Sequence, residues 1–271
     1  MREGKESRIV WVTDIHLNFL DAVKLEAFCR EIIDAQPSLL LIGGDIAEAN
    51  SLSGYLKYLE TKLNLPVYFV LGNHDFYRGS IEETRKMAIV LSRSSEYLKW
   101  LPSVGIVPLT AKTCLLGHDG WSDGRYGNFF TSEVVLNDYI LISELSYLSQ
   151  KTLFEELNGL GDESAAFFAH ILPQALAGFD EILVLTHVPP FKESCWHEGE
   201  ISDDNWLPHF SGKAVGDVLR GMMLAHPEKS MTVLCGHTHG KGEARILPNL
   251  VVKTGGAVYG NPELQEFIFV N

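Results

Sequence analysis

The chain has 271 residues, with 22 Lys and Arg against 35 Asp and Glu, a formal net charge of −13. With 46% apolar residues it can bury a sizeable core, which excludes a disordered chain. The acidic balance argues against a long nucleic acid or an anionic membrane surface as partner, because a basic footprint is missing; a small anion held by a local cation stays open. Ten histidines in so acidic a chain point to metal as that cation.

In chain order, the N-terminal residues reach their apolar run too late and too briefly for a signal peptide. The first predicted strand is Arg8–Thr13 (RIVWVT), followed by an amphipathic helix over Leu20–Gln36 with Val23, Leu25, Phe28, Ile32 and Ile33 near one face. Apolar strands follow at Leu39–Ile42, Val67–Leu71 and Thr113–Leu116, with helical patterns at Ser51–Leu63 and Ser80–Ser94. Residues 117–160 are unlike the rest and read as a cap or insertion over a site. A helix is predicted at Asp162–Phe179, with a kink or break at Pro173. Beyond it come the strand Glu181–Thr186, the helix Gly212–His226 and the strand Met231–Cys235. Arg245–Asn271 reads as short strands with glycine turns, an antiparallel second sheet. The alternation implies an α/β fold with largely parallel strands. No run of about 18 apolar residues suggests a membrane span. Cysteines 29, 114, 195 and 235 form no C-x-x-C pair. A reduced, cytoplasmic protein is the expectation.

The polar residues at the strand ends carry the function. RIVWVT is followed by Asp14-Ile15-His16, LLLIG by Gly44-Asp45, VYFVL by Gly72-Asn73-His74-Asp75, EILVLT by His187, and MTVLC by Gly236-His237-Thr238-His239. The carboxyl edge of an open α/β sheet is where ligands bind, so parallel strands bring all five motifs to one cleft. An extended backbone would send Asp14 and His16 to one side, and likewise His237 and His239. Asp, His and Asn donors suit Zn, Mn or Fe better than Ca. Seven such donors are too many for one tetrahedral ion and fit two divalent ions sharing a bridging carboxylate. Ions about 3.5–4 Å apart form the clamp used on phosphate esters.

The order D-x-H, G-D, G-N-H-D, H, G-H-x-H resembles the calcineurin-like metallophosphoesterase superfamily, from Asp14 to His239. The resemblance implies a four-layer α/β/β/α sandwich with two mixed β-sheets, one metallophosphoesterase domain over 1–271. By that resemblance, Asp14, His16, Asp45 and His239 hold one metal, and Asp45, Asn73, His187 and His237 the other, with Asp45 bridging. His74 would assist the leaving group and Asp75 support His74. A hydroxide between the ions would attack phosphorus in line, with the ions acting as Lewis acids.

Ile46-Ala47-Glu48 replaces the arginine-bearing continuation of phosphoprotein phosphatases, and Asp75 stands where those enzymes carry Glu. A small phosphorylated metabolite or nucleotide is therefore favoured, as mono- or diester. In the loop from Trp121 to Gly127, Arg125 is a candidate phosphate contact, and Asn128, Phe129 and Phe130 could stack on a base or simply pack. Cys195-Trp196-His197 could line the cleft, and His118 could face it. The alternative is a non-catalytic scaffold that keeps the fold, which the filled ligand positions and His74 argue against.

Overall fold

The computed structural model describes residues 7–270. The first sheet holds β1 (Ser7–Val12), β2 (Leu39–Gly43), β3 (Val67–Val70) and β4 (Leu98–Trp100), all parallel, with β13 (Glu266–Val270) antiparallel on β1. The second sheet has the order β11-β12-β10-β7-β6-β5. In it β6 (Thr113–Gly117), β7 (Glu181–Leu185), β10 (Ser230–Cys235) and β12 (Leu250–Thr254) are parallel. The edge strands β5 (Val107–Pro108) and β11 (Gly242–Leu247) are antiparallel to their neighbours. A small hairpin joins β8 (Trp196–His197) to β9 (Glu200–Ile201).

Side-chain alternation along the strands builds the layers. Val10 and Val12 of β1 pack with α1 (Ala22–Asp34), α2 (Ala49–Leu63) and α3 (Ile81–Ser94), whereas Ile9 and Trp11 face the other sheet. In β7, Ile182 and Val184 pack under α6 (Gln150–Gly178) and α8 (Lys213–Ala225), and Leu183 and Leu185 meet the first sheet. The result is the expected α/β/β/α sandwich. The short helices α4 (Leu101–Val104), α5 (Asp138–Leu141) and α7 (Leu207–Phe210) punctuate connections. No helix among the described residues is long and apolar enough to cross a membrane.

Several expectations need correction. The buried face of α1 is Leu25, Phe28, Cys29 and Ile32, while Val23 and Ile33 are exposed. Pro173 lies inside one unbroken 29-residue helix. Both Pro173 and Ala169, whose carbonyl loses its intrahelical donor, sit on the exposed face, where solvent can take the place of that donor. The same helix takes up residues 150–160, and β6 ends at Gly117, which leaves 118–149 as the irregular segment. The C-terminal part does not form its own sheet. β11 and β12 extend the second sheet, and β13 crosses back to the first; Asn271 lies outside the described residues.

Candidate metal centre

The chains leaving β1, β2, β3, β7 and β10 converge at one edge of the two sheets. The loops after β1 and β2 run side by side, with Asp14 N donating to Gly44 O (3.0 Å) and His16 N to Asp45 O (2.9 Å). His237 N donates to Asp14 Oδ1 (3.0 Å) and His74 N to Asp45 Oδ1 (2.9 Å), so each carboxylate is fixed by a neighbouring motif's backbone. The glycines of the motifs make this approach possible: a Cβ at Gly236 would collide with the Asp14 carboxylate, and one at Gly72 with that of Asp45.

The convergence has a different backbone cause from the extended conformation expected. Asp14, His16, Asp45, His237 and His239 have φ of 51°, 39°, 51°, 71° and 58°. Left-handed conformation is uncommon for residues other than glycine, and such strain clusters at functional sites. Here it turns the chain sharply enough for residues two apart to aim at one point.

Two groups of donor atoms result. Asp14, His16, Asp45 and His239 each offer one atom, all within 4.8 Å of one another. Beside them, Asn73 Oδ1 lies 3.0 Å from both His187 Nε2 and His237 Nδ1, and His187 Nε2 lies 3.4 Å from Asp45 Oδ1. Asp45 thus stands between the groups, its Oδ2 3.7 Å from His16 Nε2.

Hydrogen bonds assign the lone pairs. His187 Nδ1 donates to Gly43 O (2.8 Å), which leaves Nε2 as an acceptor; His237 Nε2 donates to His209 O (3.0 Å), which leaves Nδ1 as one. Asn73 Nδ2 donates to Asp138 Oδ1 (2.8 Å), turning its carbonyl oxygen toward both rings. With both rings neutral, three lone pairs point at one another, an arrangement that either a bound cation or a proton on His187 relieves. The donor set fits divalent metal ions.

Electrostatics agree in part. Burial opposes the charge on Asp14, yet the hydrogen bond from His239 and the nearby His187 and His16 hold its carboxyl well below the usual range. Burial likewise opposes charge on Asp45, and His187, His74 and His16 keep its carboxyl low. Burial pushes the His16 imidazole down to about 4, against the pull of Asp45, and burial with His187 lowers His237. His187 and His239 move the other way: burial opposes their charge, but Asp45 and Asp14 raise His187, and the hydrogen bond to Asp14 with its charge raises His239. Ligation requires ionised carboxylates and neutral imidazoles, so an ion bound here would displace protons from those two rings.

The sequence-predicted residues separate into those that meet and those that do not. All seven ligand candidates meet. His74 joins them in a cleft of about 340 Å³, its ring stacked on Tyr77 (centroids 4.2 Å, 27°) and its Nε2 3.9 Å from Asp45 Oδ2. Asp75 does not touch the His74 ring. It is fully buried and accepts from Ile46 N, Ala47 N and Gly72 N, so it clamps the two ligand loops together. Arg125 does not line the cleft: its guanidinium pairs with Asp123 (3.2 Å) and Asp162 (2.8 Å) and bonds Asn158. Phe129 is buried against Phe154 and His209, and Phe130 is exposed beside it. His118 packs on Phe167, away from the cleft lining. His197 does line it, while Cys195 is buried; all four cysteines are buried and unpaired.

Sequence reading missed Asp138, His209, Tyr77 and Tyr259. None belongs to a strand-end motif, and the orienting role of His209 is played by its backbone carbonyl, which no side chain announces.

Comparison with known proteins places the chain. The sequence pattern of the calcineurin-like phosphoesterases matches residues 7–241. A probable cyclic nucleotide phosphodiesterase of Pseudoalteromonas sp. (strain SM9913) is 34% identical over 86 residues, 27% of this chain and 33% of that protein, so the chain spans about a third of that relative's length. Among solved structures, a phosphopantetheinyl hydrolase from Mycobacterium tuberculosis superposes with a TM-score of 0.63 at 15% identity, covering 95% of this chain and 92% of that one. A dimetal phosphatase from Danio rerio gives 0.56 at 13% identity, covering 92% and 87%. At these identities the structures share the fold. From the match over residues 7–241, the chain belongs to the calcineurin-like phosphoesterases, a family of phosphoric ester hydrolases.

Proposed function

We propose that the protein hydrolyses a phosphate mono- or diester of a small molecule or nucleotide, with two divalent ions (Mn, Fe or Zn) as cofactors. Asp14, His16, Asp45 and His239 hold one ion; Asp45, Asn73, His187 and His237 hold the other. The observation that carries this reading is the pair of adjoining donor groups with Asp45 between them. When bound, such ions act as Lewis acids on phosphoryl oxygens and lower the pKa of water toward neutrality.

The chain's own residues do the rest. The backbone clamps fix the donors before substrate arrives, so no reorganisation is needed as charge builds on phosphorus. His74 is held by its stack on Tyr77, with its ring lining the cleft and its backbone N bonded to Asp45. From there His74 Nε2–H delivers a proton to the leaving oxygen, a role worth about 10²–10⁴ in rate. Residues 118–149 act as a cap, with Val135, Leu136 and Asp138 forming one wall of the cleft. The cyclic nucleotides in the name of the Pseudoalteromonas relative make a cyclic diester one substrate to try. Buried, unpaired cysteines accord with a cytoplasmic setting.

The test is hydrolysis of p-nitrophenyl phosphate and bis-p-nitrophenyl phosphate after loading with Mn²⁺. Turnover of at least one is expected; turnover of neither, with two ions shown bound by elemental analysis, would leave the scaffold reading instead.

Asp138 provides a finer check on the second ion. It is buried, and its Oδ1 accepts from both Asn73 Nδ2 and Tyr77 OH (2.7 Å). Replacing Asp138 by Leu frees the Asn73 amide to turn, so calorimetry should show one of two Mn²⁺ sites loosened about 10–100-fold and the other unchanged. Asp138→Asn should fall between Leu and the native residue. Equal loosening of both sites would show general damage instead.

A further inference from the structure

Selectivity for a substrate presupposes the phosphoesterase activity proposed above, and the cleft walls bear on it more than the floor does. Tyr259 sits over the donor histidines, its ring centroid 4.5 Å from His16 and 5.0 Å from His239, yet 49% of its surface is exposed. Phe19, at the end of the short turn that follows His16, lies 5.0 Å from the Tyr259 ring and is 53% exposed. Val135, 72% exposed, and the half-buried Leu136 line the same cleft from another segment of the chain. Large apolar surface left open around a polar floor is unusual unless something apolar covers it.

The aromatic wall is held in place. Gln265 grips the base of its loop through both amide atoms, Nε2 to Gly256 O (2.7 Å) and Oε1 from Gly256 N (3.0 Å), and its own backbone N donates to Trp11 O of β1 (2.9 Å). Lys24 Nζ on α1 donates to Gly260 O (3.0 Å), next to Tyr259. A loop fixed at base and tip presents its ring without further ordering cost.

The charge pattern is the second observation. Among the described residues, the cleft lining contains the carboxylates Asp45 and Asp138 and no Lys or Arg. Arg125, the cation nearest in expectation, is committed to Asp123 and Asp162. One phosphoryl group can be met at the floor. Away from the donor residues, a further phosphate would find Asn137, Thr238 and His197 beside Asp138 and the apolar walls, with no guanidinium or ammonium to replace its water.

From these features we infer that the substrate is an ester carrying one phosphoryl group on a flat or apolar, uncharged organic group, and that Tyr259 is the residue that selects for it by ring contact. The ring stacks on the organic group while the phosphoryl group occupies the floor. Tyr259 is thus a specificity residue for the reaction.

Two measurements test this with the Mn²⁺-loaded protein. First, the preference for p-nitrophenyl phosphate over glycerol 2-phosphate, taken as the ratio of KM values, should drop about 3–10-fold in Tyr259→Ala and return in Tyr259→Phe, which restores the ring. If Tyr259→Phe loses as much as Tyr259→Ala, the hydroxyl is acting as a donor to phosphate and the ring contact is wrong. Because Tyr259 is half exposed, Phe19→Ala, on the same wall, provides a second variant, expected to shift the ratio in the same direction; no shift in either alanine variant overturns the proposal. Second, kcat/KM for adenosine monophosphate should exceed that for adenosine 3′,5′-bisphosphate by about tenfold or more, because the base is the same and only the extra phosphate differs. Equal or better use of the bisphosphate overturns the charge argument. A native protein that hydrolyses neither these monoesters nor bis-p-nitrophenyl phosphate refutes the phosphoesterase reading itself, whereas one that hydrolyses all of the monoesters alike refutes only the selectivity.

Discussion

Replacing Asp45 by Asn should strip both metal ions and lower turnover by about 10³-fold or more. The reason is positional. Asp45 Oδ1 faces His187 Nε2 and accepts the His74 backbone N–H, while Oδ2 faces His16 and His74. An Asn would keep its oxygen on the His74 N–H and turn its amide protons toward the imidazoles, placing donors where an ion needs lone pairs. Removal of a single preorganised donor from an oxyanion site already costs about 10²–10³ in rate; here the charge stabilisation from both ions goes at once. Elemental analysis after gel filtration measures the outcome. Retention of one tightly held Mn²⁺ would mean that Asp45 serves a single ion and the bridge does not exist.

His74→Ala should leave the metal content intact and slow esters with poor leaving groups by about 10²–10⁴-fold, while p-nitrophenyl esters lose far less. The ring contributes no atom to the four-residue donor cluster, and its backbone bond to Asp45 survives the substitution. The slope of log kcat against leaving-group pKa is the direct readout: it should steepen in the variant. An unchanged slope with uniformly slower turnover would move His74 from proton donor to electrostatic support.

How far the sequence reached depended on the kind of interaction. Strand ends and ligand types were legible because burial forces apolar runs, and the polar residues that interrupt them are few: Asp14, Asp45, Asn73, His187 and His237 each follow such a run. The four layers were expected from the resemblance alone; the structure supplies their cause, since Val10 and Trp11 alternate between two cores. Arg125 misled because an arginine after a glycine turn reads alike whether it faces substrate or is neutralised, and its partner Asp162 lies on a distant helix turn. Asp75 misled through adjacency: next to His74 in sequence, it points instead at three backbone N–H groups. Asp138 was invisible because its meaning comes from a contact spanning 65 residues.

The left-handed backbone at five donor positions has an evolutionary consequence. Each such residue costs on the order of 1 kcal/mol against glycine, so these positions are pulled two ways, toward glycine by conformation and toward Asp or His by chemistry. A lineage released from selection for catalysis gains stability by letting them drift, and each gain deletes a ligand. Loss of function is then the downhill direction for this fold. At Asp14, His16, Asp45, His237 and His239 this chain carries the ligand type where conformation favours glycine.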